Sequence, residues 1–385
     1  MNNRPAGALK AWAILLAFSL TPPALVDSET EPNEAEQDQL PAGERSSRHQ
    51  GIMKWLTIAV CLLSAIKILH AQSWQPSAGH TQVPIWPGAA PDPQPVKGPE
   101  VMASSGNSFL VAGRPVIEVD DVTRPTMTVY APTGKNTGAA VVVFPGGGYQ
   151  TLAIDLEGSE VCDWLAPKGI TCVLLKYRVT SVGPYPKSGP YPESKMALDD
   201  AQRTVGLVRF HAADWQIDLH KIGVLGFSAG GHLSVALSLH FENRLYPAVD
   251  AADQVSCRPD FGVAIYPGHL SRAAAESDAR VGTKRFPLPP PDRLSLADKD
   301  LGVNPDLHPN HQTPPTFLVQ AEDDHIDSVY DSLSYYIALK KAGVPAEMHL
   351  YAQGNHAFGL RRTKLSITGW PDLAWKWLTT IGILQ

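Results

Sequence analysis

Cysteine is scarce in this chain, four among 385 residues, too few for a fold built on a disulfide scaffold. Basic charge is not in excess either. Lysine and arginine number 32 against 38 acids, a net charge of −6, so no nucleic-acid partner is expected. An acidic balance of this size speaks only for solubility. Glycine and proline, at 31 and 34, lack the collagen period, and 44% apolar residues exclude a wholly disordered chain. Internal repeats are missing. No G-x-x-x-x-G-K-[ST] occurs, which argues against nucleotide chemistry. The 13 histidines assemble no metal-ligand spacing, so neither a metal nor a cofactor is expected.

The chain opens differently from the way it continues. Residues 11–20 (AWAILLAFSL) are apolar behind Arg4 and Lys10, and residues 27–44 then carry seven acids, a composition that builds no core. A second apolar run begins at Met53-Lys-Trp and ends near Ala71. A Met-Lys start, about a dozen apolar residues and a small residue near the end make the layout of a secretory signal peptide. The run is short for a bilayer span. The expectation is therefore an upstream extension over 1–52, a signal peptide over 53–72, and a secreted or periplasmic mature protein. Retention of 53–72 as a membrane anchor, with the domain facing outside, is the alternative. Residues 73–105 hold a proline-rich stretch that reads as an extended arm, and 106–385 is expected to be one domain.

Outside the signal run, Cys162, Cys172 and Cys257 remain, an odd number that cannot pair completely within one chain. Cys172 stands in an apolar strand-like run and reads as a small core residue; a Cys162–Cys172 bridge is the alternative.

Beyond residue 115 short apolar runs alternate with amphipathic stretches. Strands are expected at 127–130, 139–144, 170–177, 221–226, 261–266, 316–320 and 346–351, and helices at 157–166, 194–213, 229–240, 328–342 and 371–381. The runs lack polar alternation, as in strands covered on both faces. This rhythm implies an α/β domain with a mostly parallel, doubly wound sheet and helices on both faces. Two long irregular stretches, 178–193 and 267–313, are expected to wall a pocket.

The chemistry concentrates in four places. Residues 221–233 (KIGVLGFSAGGHL) contain G-x-S-x-G around Ser228, with an apolar strand entering and an apolar helix leaving. That context puts Ser228 on a sharp strand-to-helix turn, with the helix's unbonded N–H groups beside it. A serine hydroxyl needs a base, and His356, in the loop Gly354-Asn-His-Ala-Phe-Gly359 after the last strand, is best set to supply one. His232, one helical turn past Ser228, is expected to pack or cap locally, and His308, His311 and His325 read as loop residues. The base in turn needs an acid. The strand from Thr316 ends in Glu322-Asp-Asp-His-Ile-Asp327, where Asp324 is the first choice, Asp323 the second and Asp327 the third; each is also a candidate cap for the following helix. Finally, Val141-Val-Val-Phe-Pro-Gly-Gly-Gly-Tyr149 places three glycines after a strand, where backbone N–H groups can join that of Ala229 as an oxyanion hole.

With those four motifs in this order, the chain from about Pro115 onward resembles the α/β-hydrolase carboxylesterases. Within them it is similar to bacterial secreted esterases grouped with acetylxylan and feruloyl esterases, near the hormone-sensitive-lipase relatives. The resemblance implies Ser228 as nucleophile, His356 as base, Asp324 as acid, and Gly147, Gly148 and the Ala229 amide as oxyanion donors. Three positions depart from it. Pro145 stands where the lipase relatives have histidine, Asn355 where many have glycine, and Asp327 where an apolar residue is usual.

The expectation is a serine esterase acting on short acyl esters, acetyl above all, of plant polysaccharide such as xylan. Tyr149, Tyr185, Tyr191 and Trp370 are candidates to stack on sugar rings or simply to pack. A general carboxylesterase or serine peptidase is the nearer alternative, although fewer than 120 residues precede the first sheet strand, too few for the propeller of a prolyl oligopeptidase. A non-catalytic binding protein on the same fold is the alternative from another class.

Overall fold

A computed structural model describes residues 73–92, 98–180, 195–272, 274 and 301–384. Eight strands form the main sheet: β1 (Gln82–Pro84), β2 (Thr126–Tyr130), β3 (Ala140–Phe144), β4 (Thr171–Lys176), β5 (Ile222–Phe227), β6 (Gly262–Ile265), β7 (Thr316–Ala321) and β8 (Ala346–Tyr351). Their spatial order is β1-β2-β4-β3-β5-β6-β7-β8. From β4 across to β8 every pairing is parallel, while β1–β2 and β2–β4 are antiparallel. Each of the seven expected runs is thus a strand, and the 126–130 run departs from the parallel expectation. It reaches β4 after β3 has intervened in the chain, and pairs in the opposite sense.

Strand side chains explain why these runs lack polar alternation. On β6, Val263 and Ile265 belong to the large apolar core, whereas Ala264 between them packs with a second cluster. On β7, Phe317 and Val319 likewise oppose Leu318. Neighbouring residues point to opposite faces, and both faces are covered, so both must be apolar.

The helices are α1 (Glu160–Leu165), α2 (Lys195–Phe210), α3 (Ala229–Leu239), α4 (Val329–Lys341) and α5 (Trp370–Thr380), the last with Pro371 in its first turn, where a missing N–H costs nothing. The helix expected at 157–166 is not continuous. A π-helical turn over Asp155–Ser159 precedes α1 and a 3-10 turn over Ala166–Lys168 follows it. Such π-turns often mark sites where a side chain is re-aimed, and Glu157 is the residue involved here.

The proline-rich arm is fastened down. Trp74, Ile85 and Trp86 are buried in the main core, Arg203 Nε donates to the Ile85 carbonyl at 2.9 Å, and Trp86 Nε1 donates to Asp200 at 2.8 Å. Cys162 on α1 is bonded to Cys172 on β4, which corrects the reading of Cys172 as a plain core thiol. Both side chains are buried, so the bridge occupies core space while tying the helix to the sheet. Cys257 is free and buried.

The segments expected over 1–52 and 53–72 lie outside the described residues, as do 181–193 and most of 273–300 of the two expected pocket walls. None of the described helices is long and apolar enough to cross a membrane.

Candidate active site

The candidate serine, acid, histidine and glycine loop all follow the C-terminal ends of strands in the parallel part of the sheet, the edge at which open α/β sheets take ligands. β5 ends at Ser228, β3 at the glycine loop, β6 at Tyr266, β7 at the acid turn, and β8 leads to the His356 loop.

Ser228 has φ 52° and ψ −122°, a region that costs a non-glycine residue about 1–3 kcal/mol. The neighbours that permit this turn are Gly226 and Gly230. A Cβ on Gly226 would lie 1.8 Å from the Gly230 carbonyl oxygen, and one on Gly230 would lie 2.0 Å from that of Phe144. Glycine at both positions therefore lets α3 begin directly against the end of β3. Ser228 N–H is held by the Ile265 carbonyl at 3.0 Å, so the strain is locked into the sheet.

The structure brings Ser228, His356 and Asp324 into one chain of contacts. His356 Nε2 lies 2.9 Å from Ser228 Oγ and Nδ1 lies 2.8 Å from Asp324 Oδ2. With Nδ1 donating to the carboxylate, Nε2 is free to accept the serine proton. Asp324 is saturated with donors: Gln320 Nε2 at 3.0 Å joins His356 on Oδ2, and the Ile326 and Asp327 N–H groups reach Oδ1 at 2.9 and 3.0 Å. Asp323 does something else. Its Oδ1 accepts from Gly354 and Asn355 N–H at 2.8 and 2.7 Å, anchoring the loop that carries His356. Asn355 and Ala357 on either side of the histidine have φ of 53° and 59°. Asparagine tolerates that conformation far better than most residues, which is why it can stand where relatives have glycine.

Gly147 and Gly148 have φ of 132° and 62°, and the loop they form packs against the nucleophile: a Cβ on the preceding Gly146 would sit 2.8 Å from Ser228 Cβ. Gly146 N–H is itself committed, to Glu157 Oε2 at 2.7 Å. Pro145, in place of histidine, offers its carbonyl to Tyr177 OH at 2.5 Å, which pins the start of the loop.

Three participants are less legible in the sequence. Glu157 is buried on the π-turn behind the glycine loop, and its Oε1 accepts from Tyr266 OH at 2.8 Å. Tyr266 packs edge-on against the His356 ring, with centroids 4.9 Å apart, and its hydroxyl also accepts from Gly359 N–H at 3.2 Å. One carboxylate thus ties the glycine loop to the wall of the histidine. In the sequence Glu157 reads only as the start of the helix expected over 157–166; in the structure it is buried on the π-turn. The third is Asp327, whose Oδ2 lies 3.5 Å from Ser228 Oγ and 3.8 Å from His356 Nε2.

This concentration of carboxylates governs the imidazole. Burial lowers the His356 pKa, but the hydrogen bond to Asp324 and the charges of Asp327, Asp324 and Glu157 outweigh it and bring the value up to about 9. Glu157 is pushed up by burial, against the opposing hydrogen bond from Tyr266 and charge on His356. Asp331, in the first turn of α4, is raised to about 7 by burial and then by Asp327.

Other candidates fall elsewhere. His232 packs locally, its Nδ1 2.7 Å from Tyr149 OH. Tyr149 and Trp370 are both buried, Trp370 donating Nε1 to the Gly359 carbonyl at 2.8 Å; neither offers a face to a sugar, and packing is their role. Tyr185 and Tyr191 lie outside the described residues. Among the described residues no group of three or more His, Cys, Asp or Glu is placed to hold a metal ion.

Known proteins are similar to this chain in sequence and in fold. The acetylxylan esterase of Xylanibacter ruminicola is 28% identical over 253 residues, 63% of this chain and 45% of that protein. Endo-1,4-beta-xylanase B of Butyrivibrio fibrisolvens is 26% identical over 246 residues, 64% of this chain and 36% of its own length. The chain therefore spans less than half of either curated relative. The crystal structure of an acetyl ester-xyloside bifunctional hydrolase from Caldicellulosiruptor lactoaceticus superimposes with a TM-score of 0.58 at 32% identity, covering 79% of this chain and 97% of that one. Residues 141–360, from the glycine loop's strand to just past His356, match the family described as alpha/beta hydrolase fold. A serine on a strained strand-to-helix turn, a histidine after the last strand and an acid between them in the chain are what that fold carries at this edge, and the chain belongs to the alpha/beta hydrolase family.

Proposed function

We propose that the protein is a serine ester hydrolase that removes short acyl groups, acetyl in the first place, from acetylated polysaccharide such as xylan. The observation that carries the reading is the Ser228–His356–Asp324 relay, with contacts of 2.9 and 2.8 Å, set beside a glycine loop and a helix N-terminus. Ser228 attacks the ester carbonyl as His356 takes its proton; Asp324 holds the imidazole's tautomer and stabilises the imidazolium. Gly147, Gly148 and Ala229 N–H groups receive the developing oxyanion, each such donor being worth about 3 kcal/mol in the transition state. His356 then protonates the leaving alcohol and activates the water that frees the acyl group. No step calls for a metal or cofactor. The polysaccharide substrate is supported by the names of the relatives, an acetylxylan esterase and an acetyl ester-xyloside hydrolase.

Export belongs to the same reading. The signal-like run from Met53 supports it, and so does the Cys162–Cys172 bridge, because such bonds persist in oxidising compartments. The test is acetate release from acetylated xylan and from a simple phenyl acetate by the purified protein. Both activities are expected, and both should vanish in Ser228→Ala without loss of fold. Substantial turnover by that variant would refute the mechanism, while hydrolysis of the small ester alone would refute the polysaccharide part.

A further inference from the structure

Asp327 has no part in the esterase mechanism. Its position is nevertheless specific. The nucleophile strand β5 lies between β3 and β6. The glycine loop leaves β3 on one side of Ser228; on the other side, Gly268 follows β6 and Asp327 follows β7. Asp327 therefore stands across the nucleophile from the oxyanion loop. Its Oδ2 is 3.5 Å from Ser228 Oγ and 3.8 Å from His356 Nε2, beside the imidazole nitrogen that hands a proton to the departing alcohol. The site is also built to receive it. A Cβ on Gly268 would fall 2.4 Å from Asp327 Oδ1 and 2.6 Å from its Cγ, so that any larger residue at 268 would displace the carboxylate. The side chain keeps 13% of its surface exposed, enough to meet a ligand.

We propose that Asp327 is a specificity residue on the leaving-group side, accepting a hydrogen bond from a hydroxyl on the carbon next to the one that bears the scissile ester. The inference rests on the esterase reading and narrows it to esters of vicinal diols, the arrangement found in partly acetylated sugar rings. As the C–O bond breaks, the leaving oxygen takes the proton from Nε2, while the neighbouring hydroxyl keeps its own and only donates to Asp327. No proton passes to the carboxylate. An apolar residue here would deny that hydroxyl this partner, and hydrogen bonds to charged acceptors are the stronger class.

The test uses two matched esters, cyclohexyl acetate and the monoacetate of trans-vicinal cyclohexanediol, which differ only in that hydroxyl. The quantity read is the ratio of kcat/KM for the diol ester to kcat/KM for the plain one, in which any change in His356 basicity or folded fraction cancels. The ratio is expected to fall about tenfold or more in Asp327→Val. A smaller fall is expected in the nearly isosteric Asp327→Asn, which keeps one acceptor oxygen and serves if the valine variant folds poorly. A ratio unchanged in both variants, with both esters still hydrolysed, would overturn this inference and leave the esterase reading standing. Wild-type protein inert to both esters would overturn the two together.

Discussion

Replacing Asp327 by asparagine removes a negative charge 3.8 Å from His356 Nε2 at almost no change of volume. The base must be neutral to take the serine proton, so kcat/KM falls about tenfold per pH unit below the His356 pKa of the free enzyme. With that value at about 9, the wild-type acid limb is centred in alkaline solution. Asp327 favours the imidazolium, so its removal must lower the pKa and move the limb toward acid. At 3.8 Å the interaction is about 1 kcal/mol in a water-like medium and about 4 kcal/mol at an effective dielectric of 20, which brackets the shift between about 1 and 3 pH units. Asp324 and Glu157 act on His356 in the same sense and remain in the variant, so a raised pKa is only partly relaxed. Asp331 and His269 also lie in this neighbourhood, Asp331 at about 7; an Asp331→Asn background separates its titration from that of the base. A pH-stat series on cyclohexyl acetate reads the limb directly. A limb that stays where the wild type has it, or moves to higher pH, would refute the electrostatic reasoning.

In Asp324→Asn the Ile326 and Asp327 N–H groups hold the amide oxygen at the Oδ1 position, which turns an NH2 donor toward His356 Nδ1 and should depress kcat by a factor of about 1000 or more. Asp323→Asn, which touches only the Gly354 and Asn355 amides, should cost less than tenfold; initial rates on one ester rank the two, and the reverse order would move the acid. Glu157→Ala frees the Gly146 amide and Tyr266 hydroxyl and should lower kcat more than tenfold at similar KM. Glu157→Gln should recover most of that loss, since an amide can accept from Gly146 while donating to Tyr266. Finally, Cys162→Ser opens a loop with a sequence separation of 10, for which chain entropy gives a loss of about 3 kcal/mol. A drop of several degrees in Tm with activity retained at low temperature is expected, and an unchanged Tm would show that the bridge does not constrain the chain.

Much of this molecule is readable without coordinates, and the reason is locality. The glycines around Ser228, the apolar run before it and the helix after it are neighbours in the chain, so the turn is encoded in a dozen residues. The order serine, acid, histidine follows from the succession of strands, each of which delivers its residue at the same edge. What lies beyond the sequence is whatever depends on which distant segments meet. The sequence ranks three nearby carboxylates, Asp324, Asp323 and Asp327, for one catalytic role and gives the other two none. Folding assigns one to the histidine's Nδ1, one to the backbone of its loop and one to the far side of the nucleophile. Glu157 reads as the start of a helix and proves to be a buried strut on a π-turn, bonded to the glycine loop and to Tyr266. Cys172 packs in a strand whether or not it is bonded, and only the approach of α1 to β4 decides that it pairs. The fold class and the chemistry of the relay are both written in short-range pattern. The tertiary structure alone decided how the surrounding charges are shared among the acids, because electrostatic coupling depends on distances that only packing sets.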